Sequence, residues 1–290
     1  MKTVAADAAQ DAALQLKIRD IEVVGAGVTL MARVYTAVTP ALPGVKRDGL
    51  IVFFPGGGFV KGGLEEADDF LRCLVQGNPD HIVLASGYTL ATDRPFPAAV
   101  EDAHAVLLWA KKNKAKLGWT GKRMMTAGIE AGANLAAVSS MMSRDRGGPP
   151  LVGQILIMPM LDPGLSTCSM REMPAHADQA MAAANCAASY SDYLPNASDR
   201  THPYASPLLS SRLKNLPPAL ILSGEEDPLR DEAEQYGAKL IGCGIKTTVR
   251  RLPPNPVADV EARNECACKV HALNEINSFI TVLDMESPIT

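Results

Sequence analysis

The stretch "TAGIEAGANLAAV", residues 126 to 138, sets Glu130 between two glycines, Gly128 and Gly132. A short apolar run ends at Gly128, and a small-residue helix begins at Ala131. Glycines so placed let a strand bend sharply into a helix, and the bend lifts its central side chain clear of the strand ends. Turns written Gly-x-Ser-x-Gly present a serine for acyl transfer, and here a carboxylate holds the serine position. A carboxylate at such a point can move protons, attack carbon, or pair with a cation. Asp227, in "EEDPLRDE", precedes a helical run and reads by itself as a helix N-cap.

The elements that must hold these residues alternate along the chain. "IEVVGAGVTLMARVYTAV" reads as an opening hairpin, and "DGLIVFFPGG", "DHIVLASGYTL", "RMMTAG", "LVGQILIMPML", "PALILSG" and "KTTVRRL" read as strands. Helical spacing marks "FPAAVEDAHAVLLWAKKNKAKLG", which stops at Gly118, then "AGANLAAVSSMMSRD", "PLRDEAEQYGAKLIGCG" and a terminal "VEARNECACKVHALNEINSFITVL". Strand-helix alternation predicts an α/β fold with a mostly parallel central sheet flanked by helices. One domain spans residues 1–290. A small helical lid is expected from the N-terminal segment 1–20 and an insertion at 165–207, where Met170, Met173 and Met181 suggest an adaptable apolar wall or plain packing.

With 47% hydrophobic and 21% charged residues, the composition is that of an ordinary globular chain. A net charge of −4 gives no reason to expect nucleic acid or an anionic membrane as partner. The first twenty residues lack the continuous apolar core of a signal peptide, and no apolar run is long enough to cross a bilayer, so the cytoplasm is the expected location. The six cysteines lie scattered; the close pair Cys266 and Cys268 has neither zinc nor redox spacing, and no metal or cofactor is expected.

The order of segments resembles the hormone-sensitive-lipase-like esterase branch of the α/β-hydrolase superfamily, from about Ile18 to the terminal helix. "FFPGGGFVKGG" is similar to that branch's His-Gly-Gly-Gly loop, and "GYTLATDRPFPAAVEDA" to its Tyr-Arg-Leu-Ala-Pro-Glu segment. "GIEAGANLAA" stands where the branch has Gly-Asp-Ser-Ala-Gly-Gly-Asn-Leu-Ala. "ILIMPMLD" and "YASPLLSSRLKNLPPALILSGEEDPLRDEAEQYGAKL" follow in the branch's order. The resemblance implies an α/β-hydrolase fold, an oxyanion-type loop at Gly56, Gly57 and Gly58, and amides of Gly57, Gly58 and Ala131 aimed at a substrate oxygen. It makes Asp227 the acid of a triad. It also implies that a homodimer can form through the last strand and its neighbouring helix.

Departures from the pattern fall on the chemistry. Glu130 replaces the serine, Pro55 replaces the loop's leading histidine, and Pro256 or Val257 stands where the histidine base belongs. His81 precedes a strand at its far end, His104 and His271 lie in helices, and His176 and His202 lie in the insertion. No spacing supports any of them as a displaced base. Ser86, Thr89, Ser139 and Ser140 read as ordinary strand-end and helix residues. A carboxylate nucleophile would still need a histidine to free the intermediate.

Three readings of Glu130 follow. In the first, Glu130 is a general acid or base for an elimination, isomerisation or cyclisation, with Asp227 across the gap. In the second, the pocket binds a small apolar, carbonyl- or hydroxyl-bearing ligand without turnover, since Glu130 repels a carboxylate. In the third, Glu130 pairs with Arg94, Arg250 or Arg251 and the site is vestigial. The binder needs the fewest added assumptions and leads, the non-hydrolytic enzyme follows, and an ester hydrolase with an unusual site comes last.

Overall fold

The computed structural model describes residues 14–38, 46–172, 177–253 and 268–286. The opening hairpin pairs β1 (Leu16–Val24) with β2 (Thr29–Ala37). Next come β3 (Arg47–Phe54), α1 (Asp68–Gly77), β4 (His81–Ser86), α2 (Ala98–Lys112), α3 (Lys114–Leu117), β5 (Trp119–Ile129) and α4 (Ala131–Asp145). The second half runs β6 (Gly153–Ile157), α5 (Cys168–Glu172), α6 (Ala177–Tyr193), β7 (Ala219–Gly224), α7 (Arg230–Gly242), β8 (Thr247–Leu252) and α8 (Cys268–Glu286).

All eight strands form one sheet in the order β1-β2-β4-β3-β5-β6-β7-β8. β2 meets both its neighbours antiparallel, and every pairing from β4 to β8 is parallel. Alternate residues of β3 feed opposite faces, as a period of two requires. Leu50, Val52 and Phe54 join the core under α2, α4 and α7, whereas Ile51 and Phe53 join the core under α1 and α8. This is the expected α/β fold, a mostly parallel sheet covered on both faces.

Some boundaries differ from expectation. β1 begins at Leu16, so residues 16–20 are strand and not lid; Asp20 sits opposite Arg33 in the register and bonds it at 2.6 Å, which keeps a charged pair tolerable on an exposed edge. α1 was not foreseen. Within the stretch 165–207, the described residues include α5, α6 and short 3-10 turns at Ala197–Thr201 and Pro207–Leu209. The start of the terminal helical stretch, Pro256, Val257, Cys266, Met173 and His176 lie outside the described residues. No helix among the described residues is long and apolar enough to cross a membrane.

Parallel strands share a direction, so β3, β5, β6 and β7 all finish on one edge of the sheet. The loops after them converge there, which is where open α/β sheets build their sites.

Candidate active site

β5 delivers Glu130 to that edge in a strained backbone, φ 52° and ψ −113°. A non-glycine residue held so costs about 1–3 kcal/mol, which its surroundings must offset. The offset is visible in the hydrogen bonds. The Glu130 amide donates to Ile157 O at 3.0 Å, and its carbonyl accepts from Ala133 and Asn134 at 3.1 Å and from Met160 at 3.2 Å. The flanking glycines are sterically required: a Cβ on Gly128 would lie 2.2 Å from Gly132 O, and one on Gly132 would lie 2.0 Å from Phe54 O. The elbow therefore keeps its shape whatever side chain stands at its tip.

The Gly56–Gly58 loop lies beside it. Gly57 has φ +110°, and a Cβ there would lie 2.2 Å from Lys61 O. Its amide donates to Glu130 Oε2 at 3.2 Å, so the carboxylate rests on the loop expected to receive a substrate oxygen. Among the described residues the amides of Gly58 and Ala131 donate to no protein acceptor. Pro55 offers no side-chain brace, but its carbonyl accepts from the buried Tyr88 hydroxyl at 3.2 Å.

The expected arginine partners of Glu130 are engaged elsewhere. Arg94 donates to Thr89 Oγ1 at 3.3 Å, Arg250 to Glu275 at 3.3 Å and Arg251 to Glu234 at 2.8 Å. β8 is the edge strand, and its two arginines spread over the neighbouring helices.

Asp227 lies in the loop after β7. Its Oδ1 accepts from the Leu229 amide at 2.7 Å, and its own amide donates to Gly224 O at 3.2 Å. It thus shapes the turn into α7 two residues before the N-cap position, which Leu229 holds. Asp227 and Glu130 both act on the Cys186 thiol of α6, which burial first, and then these acids with Glu232, push well above the usual thiol range. The described histidines sit elsewhere: His81 is buried at the start of β4, 3.7 Å from Asp284, and His104 is buried in α2. His202 packs on Phe96 and Tyr204 with its Nδ1 accepting from the Tyr204 amide, and His271 belongs to α8.

α6 covers the loop. A Cβ on Gly58 would lie 2.3 Å from Ser189 Oγ. Tyr193 stacks on Phe59 with ring centroids 3.7 Å apart, and Phe96 meets Tyr193 edge-on at 5.8 Å. The methionines do not form one wall: Met170 is buried in the core while Met181 is 62% exposed. Sequence reasoning did not single out Cys186, Ser189, Tyr190, Tyr193 or Glu232, because nothing in a local pattern says which face of α6 or α7 meets the sheet edge. Among the described residues no cluster of histidine, cysteine or acidic side chains suits a metal ion.

Comparison with known proteins adds a second line. The profile of a family described as alpha/beta hydrolase fold matches residues 51–256. Esterase LipI of Mycobacterium tuberculosis is 33% identical over 237 residues, 81% of this chain and 72% of that protein. Carboxylesterase NlhH of the same organism is 35% identical over 217 residues, 73% of this chain and 67% of its own. The crystal structure of an esterase from Pyrobaculum calidifontis superposes with a TM-score of 0.82 at 34% identity, covering 92% of this chain and 85% of that one. The expectation of a protein that binds without turnover does not stand beside these likenesses to ester hydrolases. Its premise was that a site without serine and histidine keeps binding and loses covalent catalysis; the elbow, the glycine loop and the acid loop do remain assembled on one edge, but the relatives point to ester hydrolysis.

Proposed function

The chain belongs to the α/β-hydrolase fold family, and from that premise we propose that it hydrolyses carboxylic esters through an unusual site. Glu130 takes the place of the family's serine, and no histidine occupies the base position in the sequence. The observation that carries the reading is the Glu130 carboxylate at the elbow tip with Oε2 on the Gly57 amide. Anchored there, it leaves Oε1 to accept a proton from a water molecule.

The route needs no acyl-enzyme. The ester carbonyl oxygen lies toward the Gly58 and Ala131 amides. Glu130 takes one proton from water while the water oxygen bonds to the acyl carbon, and the carbonyl electron pair moves onto oxygen. Collapse of the tetrahedral species breaks the bond to the alkoxy oxygen, and Glu130 returns the proton to that leaving group. Acid and alcohol result, and Glu130 is a carboxylate again. General-base help supplies about 10²–10⁴ in rate, and an oxyanion donor about 10²–10³. Turnover is therefore modest beside that of a complete triad.

The test is hydrolysis of p-nitrophenyl butyrate by purified protein beside Glu130→Gln and Glu130→Ala. Turnover that falls at least about a hundredfold in both variants, with no initial burst of p-nitrophenol, supports the reading. Equal rates in all three proteins would sink it.

A further inference from the structure

α7 opens Arg230-Asp231-Glu232, and its two acids point to different tasks. Asp231 bonds the start of α5, with Oδ2 accepting from the Ser169 amide at 2.8 Å. Glu232 is wholly buried, and its Oε1 accepts from the Leu161 amide at 2.7 Å. Its Oε2 is buried with no partner among the described residues, as is the hydroxyl of Tyr190 in α6. Glu232 is the foremost charge acting on that hydroxyl. Asp162 and Asp227 act on Glu232 in turn, and it forms no salt bridge among the described residues, which is uncommon for a buried acid.

What Glu232 grips is the loop after β6. The neighbouring Met160 amide donates to the Glu130 carbonyl at 3.2 Å, and Met160 O accepts from buried Asn134 Nδ2 at 2.7 Å. We propose that Glu232 is a positioning residue for Glu130: through the Leu161 amide it fixes the loop whose Met160 amide holds the elbow carbonyl, and so keeps the Glu130 carboxylate on the Gly57 amide. Its catalytic consequence rests on the ester-hydrolase reading; the structural coupling does not. The groups that face it are the Leu161 amide and Asp162 after β6, Asp227 before α7, and Tyr190 and Cys186 on α6. Burial, and then those acids, hold Glu232 in its neutral form well above the usual carboxylate range. Ionisation leaves a buried charge that only backbone amides answer, beside Asp162 and Asp227, and the loop after β6 opens to hydrate it.

Two variants separate the parts. Glu232→Gln keeps an acceptor for Leu161 and cannot ionise, whereas Glu232→Met keeps volume and removes the acceptor. Amide hydrogen exchange is followed by mass spectrometry in peptides covering 158–165 and 128–135, and ester turnover is followed from pH 6 to 10. In E232M both peptides exchange about tenfold faster or more while α8 and the β1–β2 hairpin stay protected, and kcat falls about ten- to a hundredfold with KM little changed. E232Q exchanges like the parent, and its activity persists to more alkaline pH. Exchange in E232M that is unchanged, or faster everywhere alike, overturns the positioning role. Should E232M not fold, identical alkaline limbs for E232Q and the parent overturn it instead. A parent that hydrolyses no ester removes the functional reading alone, because the exchange arm still decides the coupling.

Discussion

Glu130 shows how far single residues can be read. Its type and its place between Gly128 and Gly132 predicted both the elbow and a carboxylate at the tip, and Gly56, Gly57, Gly58, Ala131 and Asp227 were picked out from motifs alone. Its hydrogen bond was not legible. The arginines offered as partners are taken by Thr89, Glu275 and Glu234, and the acceptor role toward Gly57 depends on how two loops meet. Glu232 gave no signal at all, since an acid in a helix's first turn is ordinarily a solvated residue. Water activation by Glu130 predicts behaviour unlike a serine enzyme's. A serine-directed organophosphate should leave turnover intact, and the rate should drop in heavy water because a proton moves in the slow step. Ser139 and Ser140 are buried in α4 and cannot serve as a displaced nucleophile, whereas Ser189 lies against Gly58 and is half-buried. Ser189→Ala should retain turnover within about threefold; its loss, together with organophosphate inactivation, would transfer the chemistry from Glu130 to Ser189.

Elements with strong patterns were legible because their burial is two-sided or periodic. β4, β6 and β7 are fully buried runs, and the glycine at 118 ends its helix in a left-handed turn, φ +79°. α1 went unforeseen because ten residues with Phe70, Leu71, Leu74 and Val75 between a glycine loop and a proline make a brief signal. The start of β1 was placed late because Arg19 and Asp20 look like loop, although each satisfies itself, Arg19 on Lys116 O and Asp20 on Arg33. Two element-scale predictions follow from contacts no pattern shows. Gly132→Ala drives a methyl into Phe54 O, and overpacking against backbone should cost about 1–3 kcal/mol or more, read as a lower urea midpoint with unchanged m-value. Tyr193→Leu removes the ring stacked on Phe59 and unclamps α6 from the glycine loop. Its KM for short esters should rise several-fold while Trp109, near the end of α2, and Trp119, at the start of β5, report an unaltered core by fluorescence; an unchanged KM would deny α6 a part in holding substrate.

At the scale of the whole molecule, the charges that sit inside decide how stability runs with pH. Paired acids are held below the usual carboxylate range: Asp20 and Glu234 chiefly by arginine partners, and Asp145 and Asp231, against burial, by Arg144 and by the Ser169 amide with Arg230, so their stabilisation is lost as pH falls through those lowered values. His81 and His104 are buried, and burial lowers both from 6.5; the unfolded chain binds these protons first, so stability falls as pH drops below that value. Glu232 runs the other way. Burial raises it well above 4.5, so the folded chain keeps a proton that the unfolded chain has released, and stability falls as pH rises through the window between the two. In that window one proton is worth about 1.4 kcal/mol per pH unit. Urea unfolding of the parent and Glu232→Gln between pH 6 and 9 should therefore diverge, with the variant gaining on the parent by up to that slope. His104→Leu should flatten the acid side and leave the alkaline side alone. If the parent and Glu232→Gln run parallel, Glu232 already exchanges its proton freely with solvent, and a carboxyl able to do that is not sealed between α6 and the loop after β6.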